Sequence, residues 1–594
     1  MKKKISMMCM AGLASVLYLM QPVTAQQTRT KAHSAQPTMA QQAKTKTKAH
    51  SAQPTMAQQA KAKTKTKTKA HSAQPTTAQQ VMGYTNPIIP GFHPDPSVCM
   101  VDSDFYLVTS SFGYFPGVPI FHSRDLIHWE QIGNVLDRES QLWLKFANTS
   151  LGIYAPTIRY NDGTYYMITT NVSRQAFGKR YGVDPRGNFF CTATDPAGPW
   201  SDPIWLEQGG IDPSLYFEDG RCYFCSNPDN QIMLCEIDPK TGQQLTPSVA
   251  ISNGSGGRYP EAPHIYKKDG WYYLLLAEGG TEEAHKLTIF RSKSIYGPYD
   301  ANPANPILTH CNVWQQSNPI HGTGHGDIVQ AYDGSWWLVG LAYRPQGNKG
   351  GTHHLLGRET FLSPVSWPKD GWPVVNGDGS FRIDNPDTPT LPQVEMPQPA
   401  SRRDLSKPLG YEFCWLCNPV TDNYKTTSKG LVIKASTDLL DDDGSKRPSF
   451  VGLRQQQISG TAETEVILQG AKSGDVAGLT AYMGSSGHYD AVVRQKDDGS
   501  QEVALRYTVG NIKGQVTSIP LSGKARKVLL RCTSSPDYYA FAYSADGGKQ
   551  WQNLGRLETR LISTETQGGF TGLYFGLFAE GNGGEATFSW FEVK

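Results

Sequence analysis

The feature that most constrains this chain is a repeat of about 50 to 65 residues across its first two-thirds. Each unit opens with a small or acidic residue near proline or glycine, then runs through an apolar strand. It turns at an acidic pair and returns through an aromatic-rich strand. The openings are Asp95-Pro96-Ser97, Ala155-Pro156-Thr157, Asp212-Pro213-Ser214, Glu261-Ala262-Pro263-His264 and His325-Gly326-Asp327. The turns follow at Asp102-Ser103-Asp104, Asp162-Gly163, Asp219-Gly220, Asp269-Gly270 and Asp333-Gly334, and the returning strands are FYLV, YYMI, CYFC, WYYLLL and WWLVGL. Asp-Gly between apolar runs signals a hairpin, because a type I′ turn needs positive φ at both central positions. Five such units of about four strands each predict a five-bladed β-propeller. A two-sheet sandwich needs no period of this length.

In a propeller the first strand of each blade lines the central channel. Residues at one register of successive blades therefore surround one cavity. Asp95, Asp212 and Glu261 share nearly one register, while the second unit has Ala155 there and the fifth has His325 with Asp327. Carboxylates that face one pit repel one another and lose solvation, so structure alone seldom selects them. Pro94 and Pro96 flank Asp95 in GFHPDPS, and the residue before a proline is biased towards extended backbone. The expectation is an extended Asp95 held rigidly in the channel wall. Taken alone, the heptapeptide also reads as a surface turn.

The chain has 594 residues, more than one core usually serves. Residues 384–405 are Pro-rich and read as a linker between the propeller at 81–383 and a second domain at 406–594. The second domain alternates through GLVIKAS, TAETEVILQ, GLTAYMG, YDAVVRQ and ATFSWFEVK, which predicts an antiparallel β-sandwich of jelly-roll type. The whole folded part is read as all-β. GGFTGLYFGLF at 568–578 is either a core strand or a contact to the mouth of the site.

Residues 1–25 read as a signal peptide, with Lys2, Lys3 and Lys4 before an apolar stretch and small residues at Val23-Thr24-Ala25. Export to the periplasm or medium is the expectation. Residues 26–80 repeat KAHSAQPT between KTKTK runs and read as a disordered basic spacer. Residues 1–80 hold 13 Lys and Arg and no acid, which leaves 43 basic against 53 acidic residues in the body. That body carries no signature of nucleic-acid binding. Nine cysteines follow the leader, an odd number that does not suit a disulfide scaffold. Cys222 and Cys225, like Cys414 and Cys417, lie three apart in strand-like sequence, so their side chains point to opposite faces and read as buried thiols.

NPIIPGFHPDPS, SSFGYFPGVPIFHSRDLIHWEQIG, YAPTIRY, IDPSLYFEDG, RYPEAPHIYKKDGWYYLLLAEGGT, GTGHGDIVQ and LLGRETFL occur in this order. In them the chain resembles glycoside hydrolase family 43, the β-xylosidase and α-L-arabinofuranosidase family. The resemblance runs from about Asn86 to the C-terminus, whose second domain is similar to that family's concanavalin-like domain. It implies a five-bladed propeller and hydrolysis with inversion. It implies that Asp95 is the general base, Glu261 the general acid, and Asp212 the carboxylate that tunes the acid and orients the sugar. Arg358 matches an arginine that contacts sugar and carboxylates, and His325 a channel histidine near a bound calcium or water in some members. Tyr114 and Phe115 fall where the family has aromatic pocket walls, with Tyr in place of a frequent Trp. No cofactor is required, and a structural calcium is the one metal the resemblance admits. The implied partner is a plant polysaccharide or oligosaccharide, cut exo-wise to release xylose, arabinofuranose or both. The alternatives are an endo-arabinanase and a propeller that binds sugar without cleaving it.

Overall fold

A computed structural model describes residues 83–311, 319–347, 353–442, 444–521 and 527–594. The leader and the basic repeats expected at 1–25 and 26–80 lie outside the described residues. Five antiparallel sheets form in strict chain order from the five repeat units. Their first strands are Ser97–Val101, Thr157–Asn161, Ser214–Glu218, Glu261–Lys268 and His321–Gln330. Blades two, three and four turn as the Asp-Gly pairs predict: Asp162, Asp219 and Asp269 have φ of +46°, +49° and +50°, and the glycines after them are also positive.

Alternation along each strand gives every blade two apolar faces, and each face is buried against a neighbour. Val108 and Ile120 of blade one meet Ile158 and Met167 of blade two. Ile168 and Phe190 then meet Leu215 and Phe224. Leu234 meets Ile265 and Leu274. Leu275 and Leu287 meet Leu338 and Phe361. Val339 and Leu362 return to Phe105 and Leu107 of blade one. The five interfaces close a ring. Tyr84–Thr85 pairs with Asp384–Asn385 beyond the fifth blade, so the two ends of the propeller are hydrogen-bonded together. Asp384 and Asn385, at the start of the Pro-rich stretch, therefore belong to this closure.

Along the axis, polar side chains on the first strands stitch each blade to the next. Ser97 donates to Asp327 at 2.7 Å, Thr157 to the Pro213 carbonyl at 2.9 Å, and Ser214 to the Pro263 carbonyl.

The second domain is a sandwich of an eight-stranded and a six-stranded sheet over one apolar core. The outer face of the six-stranded sheet packs on the propeller, where Phe450, Tyr482, Tyr574 and Phe578 meet Phe92, Phe112 and Tyr114. Trp415–Leu416 pairs with Tyr114–Phe115 across the domain boundary. Backbones touch where Gly572 meets Leu356 and Gly357: a Cβ on Gly572 would lie 2.4 Å from the Leu356 carbonyl oxygen. Of the nine described cysteines, eight are buried.

Candidate active site

Each first strand begins at one end of the channel, and the residues just before it ring a pit there. Asp95, Asp212, Ala262 and His325 share one backbone conformation, with φ of +56°, +49°, +50° and +39°. The extended Asp95 expected from its prolines is therefore corrected. Aspartate tolerates the left-handed region better than most residues. Here two contacts hold it there: the Ser110 amide donates to the Pro94 carbonyl at 3.1 Å, and the Ser110 hydroxyl donates to the Asp95 carboxylate at 2.5 Å. Such a conformation costs of the order of 1–3 kcal/mol and persists where the surroundings over-determine it. Glu261 sits one residue ahead of this register, and a bulge between Glu261 and His264 absorbs the offset.

The three carboxyl groups converge. Arg358 donates to the free oxygen of Asp95 at 2.9 Å, and His325 Nδ1 lies 3.5 Å from the same oxygen. Ligand atoms of Asp212, Glu261 and His325 all lie within 4.8 Å of one another. His325 thus stands between Asp95 and the other two acids. Arg358 is buried and also donates to Thr281 at 2.9 Å and to the Phe570 carbonyl at 3.2 Å. Below His325, the buried His285 ring packs so close that a Cβ at Gly324 would meet it at 2.5 Å, which requires the glycine of GTGHGD.

Burial pushes all three carboxyl groups towards the neutral form, and their neighbours separate them. For Asp95 the charge of Arg358 and the Ser110 hydroxyl outweigh burial and hold it below the usual carboxylate range. Burial and the Asp95 charge push Glu261 up to about 8. Asp212 is raised by burial, then by the charges of Glu261 and Asp95. Asp212 and Glu261 therefore titrate as a unit that keeps a proton into the neutral range while Asp95 is ionised. Burial lowers His325, which stays neutral.

The aromatic wall differs from expectation. Tyr114 is fully buried and stacks on Tyr574 of the sandwich at 4.0 Å between ring centroids. Phe115 packs on the core between blades one and two. The rings beside Arg358 are instead Phe112 at 5.5 Å and Phe570 at 6.0 Å, the latter from the sandwich. Tyr154 packs 5.0 Å from Phe112, and burial followed by the charge of Asp212 raises its hydroxyl. Tyr154 had a visible signal. It precedes Ala155-Pro156 as Glu261 precedes Ala262-Pro263, so the repeat assigns both to one slot.

A calcium at His325 can be tested on the donor set. Calcium takes six to eight oxygen ligands. Asp212, Glu261 and His325 offer two carboxyls and one nitrogen, too few oxygen ligands by themselves for a resident calcium. One rung along the channel the cationic position is already taken by Arg159, whose Nη1 and Nη2 donate to Asp327 at 2.7 and 3.2 Å.

Residues 84–373 match the model of Glycosyl hydrolases family 43, and residues 405–594 match that of the Beta xylosidase C-terminal Concanavalin A-like domain. The chain is 40% identical over 521 residues to the Non-reducing end alpha-L-arabinofuranosidase BoGH43B of Bacteroides ovatus, covering 86% of this chain and 94% of that protein. It is 38% identical to a Xylosidase/arabinosidase of Butyrivibrio fibrisolvens, over 84% of this chain and 96% of that protein. Among solved structures, xylan beta-1,4-xylosidase from Bacillus halodurans superposes with a TM-score of 0.79 at 32% identity, over 86% of this chain and all of that one. The chain belongs to glycosyl hydrolases family 43 and is a glycosidase with that family's concanavalin-like C-terminal domain.

Proposed function

We propose that this glycosidase removes single xylose or arabinofuranose units from the non-reducing ends of xylan- or arabinan-derived chains, with inversion at the anomeric carbon. The observation that carries the reading is the convergence of Asp95, Asp212 and Glu261 on one pit with Arg358 bonded to Asp95, an arrangement that favours an ionised Asp95 and a protonated Glu261. An inverting glycosidase needs an ionised base for the water and a protonated acid for the leaving oxygen, on opposite faces of the sugar. Asp95 takes a proton from the water as its oxygen bonds to the anomeric carbon. The bond to the leaving oxygen breaks, and Glu261 delivers its proton there. Asp212 shares a proton with Glu261 and faces the sugar. Arg358 keeps Asp95 ionised and reaches the sugar hydroxyls, and His325 spans the base and the acids.

The exo action is supported by Phe570, which brings the sandwich to the rim beside Arg358. An endo-arabinanase needs an open cleft at that rim. A non-catalytic propeller has no use for two acids that share a proton beside an ionised third. The bacterial relatives are named for both arabinofuranosidase and xylosidase activity, and the two sugars present similar ring oxygens. The basic leader supports export as the protein's destination. Among the described residues no helix is long and apolar enough to cross a membrane.

The test is hydrolysis of 4-nitrophenyl β-D-xylopyranoside and α-L-arabinofuranoside, with proton NMR of the first-formed sugar before mutarotation. Release with inverted configuration is expected. Retention would make Asp95 a nucleophile and end its assignment as base.

A further inference from the structure

Blade two alone brings no acid or histidine to the pit: Ala155 takes the register, with Tyr154 ahead of it. It carries instead two long segments on the pit side. One is the connection from blade one that ends at Tyr154. The other, residues 171–187, leaves the second strand, Thr164–Thr170, at the same end, because that strand runs antiparallel to Thr157–Asn161. The two segments are bound together: Val172 donates to the Gly152 carbonyl at 2.8 Å, and the Asn171 side chain to the Trp143 carbonyl at 2.6 Å. Between them they present an aromatic cluster. Phe146 and Tyr181 stack at 3.7 Å between centroids and 17° between planes, with Trp143 6.5 Å from Phe146 and Phe177 6.4 Å from Tyr181.

Three observations set this cluster apart from ordinary core. Its rings are half-buried or exposed, with Tyr181 at 37%. Phe146 has φ of +66°, an outlier for a bulky residue, so the loop is held in a costly conformation that presents this ring. The same loop runs directly to the pit: the Ser150 hydroxyl accepts from the Phe570 amide at 3.0 Å, and the Ser150 carbonyl accepts from Tyr154 at 3.2 Å. Ser150 therefore joins the aromatic cluster to both the rim and the wall of the site.

We infer that Phe146 and Tyr181, with Trp143 and Phe177 behind them, bind the leaving part of an oligosaccharide outside the pit. The inference rests on the exo-glycosidase reading above. The occupant is a neutral pentose or hexose ring of the substrate's continuing chain. The face of a sugar ring is lined by polarised C–H groups, which suit the negative face of an aromatic ring. Lys145 and Arg180 lie 5.3 and 5.5 Å from the Phe146 and Tyr181 centroids and offer donors to the hydroxyls at the ring edge.

The experiment compares kcat/KM for β-1,4-xylotetraose and α-1,5-arabinotetraose with that for the matching 4-nitrophenyl glycosides, in the full mature chain and in Tyr181→Ala. Tyr181 is exposed, so the variant keeps the fold. The ratio of tetraose to aryl-glycoside kcat/KM falls about fivefold, through KM, for the tetraose that the enzyme prefers, as expected for losing one aromatic contact. Tyr181→Trp restores the ratio. A ratio within twofold of the parent, or no recovery with Trp, overturns the inference while leaving the glycosidase reading intact. If the parent enzyme cleaves neither aryl glycoside nor tetraose, the functional reading itself fails and the inference falls with it.

Discussion

Two groups of buried acids sit one rung apart on the same channel, and only one is satisfied. Asp327 accepts from Ser97, from the Val98 amide, from both terminal nitrogens of Arg159 and from the Tyr266 hydroxyl at 2.6 Å. Although burial opposes it, the charge of Arg159 holds its carboxyl far below the usual range. Two residues earlier on the strands, Asp95, Asp212 and Glu261 share the pit with Arg358, whose one carboxylate contact is to Asp95. The remaining pair answers its burial by keeping a proton. A buried carboxylate with a full set of donors holds blades together. A pair short of donors stores a proton that can be given away.

Substitutions separate the two rungs. Asp95→Asn should lower kcat by about a thousandfold or more on aryl and natural glycosides alike, since water activation is needed whatever leaves. A loss confined to natural glycosides would move Asp95 out of the base role. Asp327→Asn should act on stability instead. It leaves the Arg159 charge buried without its partner, which costs about 3–5 kcal/mol. Urea unfolding should show that loss, while the folded fraction keeps most of its kcat. An Asp327→Asn protein of parental stability would break the comparison.

The pH dependence of stability should also differ in sign. Asp212 and Glu261 bind protons more tightly folded than unfolded. The stability they contribute is full below about pH 4 and falls as pH rises towards about 8. Asp327 is depressed, so its contribution is present above about pH 4 and is lost as pH falls. Asp212→Asn should therefore gain on the parent protein by a few degrees in Tm between pH 5 and pH 8, followed by calorimetry. A Tm difference, variant minus parent, that falls as pH rises would contradict the shared proton. The smallest effect is expected from removing residues 26–80. The tract has no acid and almost no apolar bulk, so kcat on soluble aryl glycosides should change less than twofold. A tenfold fall would show that the tract belongs to the folded enzyme.

The ring and its acids were legible because their signals are local. Asp-Gly turns mark the hairpins of blades two to five, and X-Pro pairs mark the channel strands of blades one to four, so Asp95, Asp212 and Glu261 could be aligned by counting. The backbone of Asp95 was not legible, because the Ser110 contacts that hold φ at +56° come from just past the end of the neighbouring strand, Asp104–Val108. The aromatic wall failed for a longer-range reason. Within SSFGYFPG nothing distinguishes Phe112 from Tyr114; the choice is made by Trp415–Leu416 and Tyr574, which bury Tyr114 from 300 or more residues away. Phe570 was visible only as part of a glycine-rich run with two readings, and its contact with Arg358 needs the docked sandwich.

The central claim is that Glu261 holds the proton that the pit stores. Glu261→Gln should be measured on natural oligosaccharides and on 4-nitrophenyl glycosides side by side. A general acid contributes about a hundredfold to ten-thousandfold where the leaving group is poor and little where it is good. The account predicts a loss of at least a hundredfold on the oligosaccharide and less than tenfold on the aryl glycoside. Equal losses on both would contradict it.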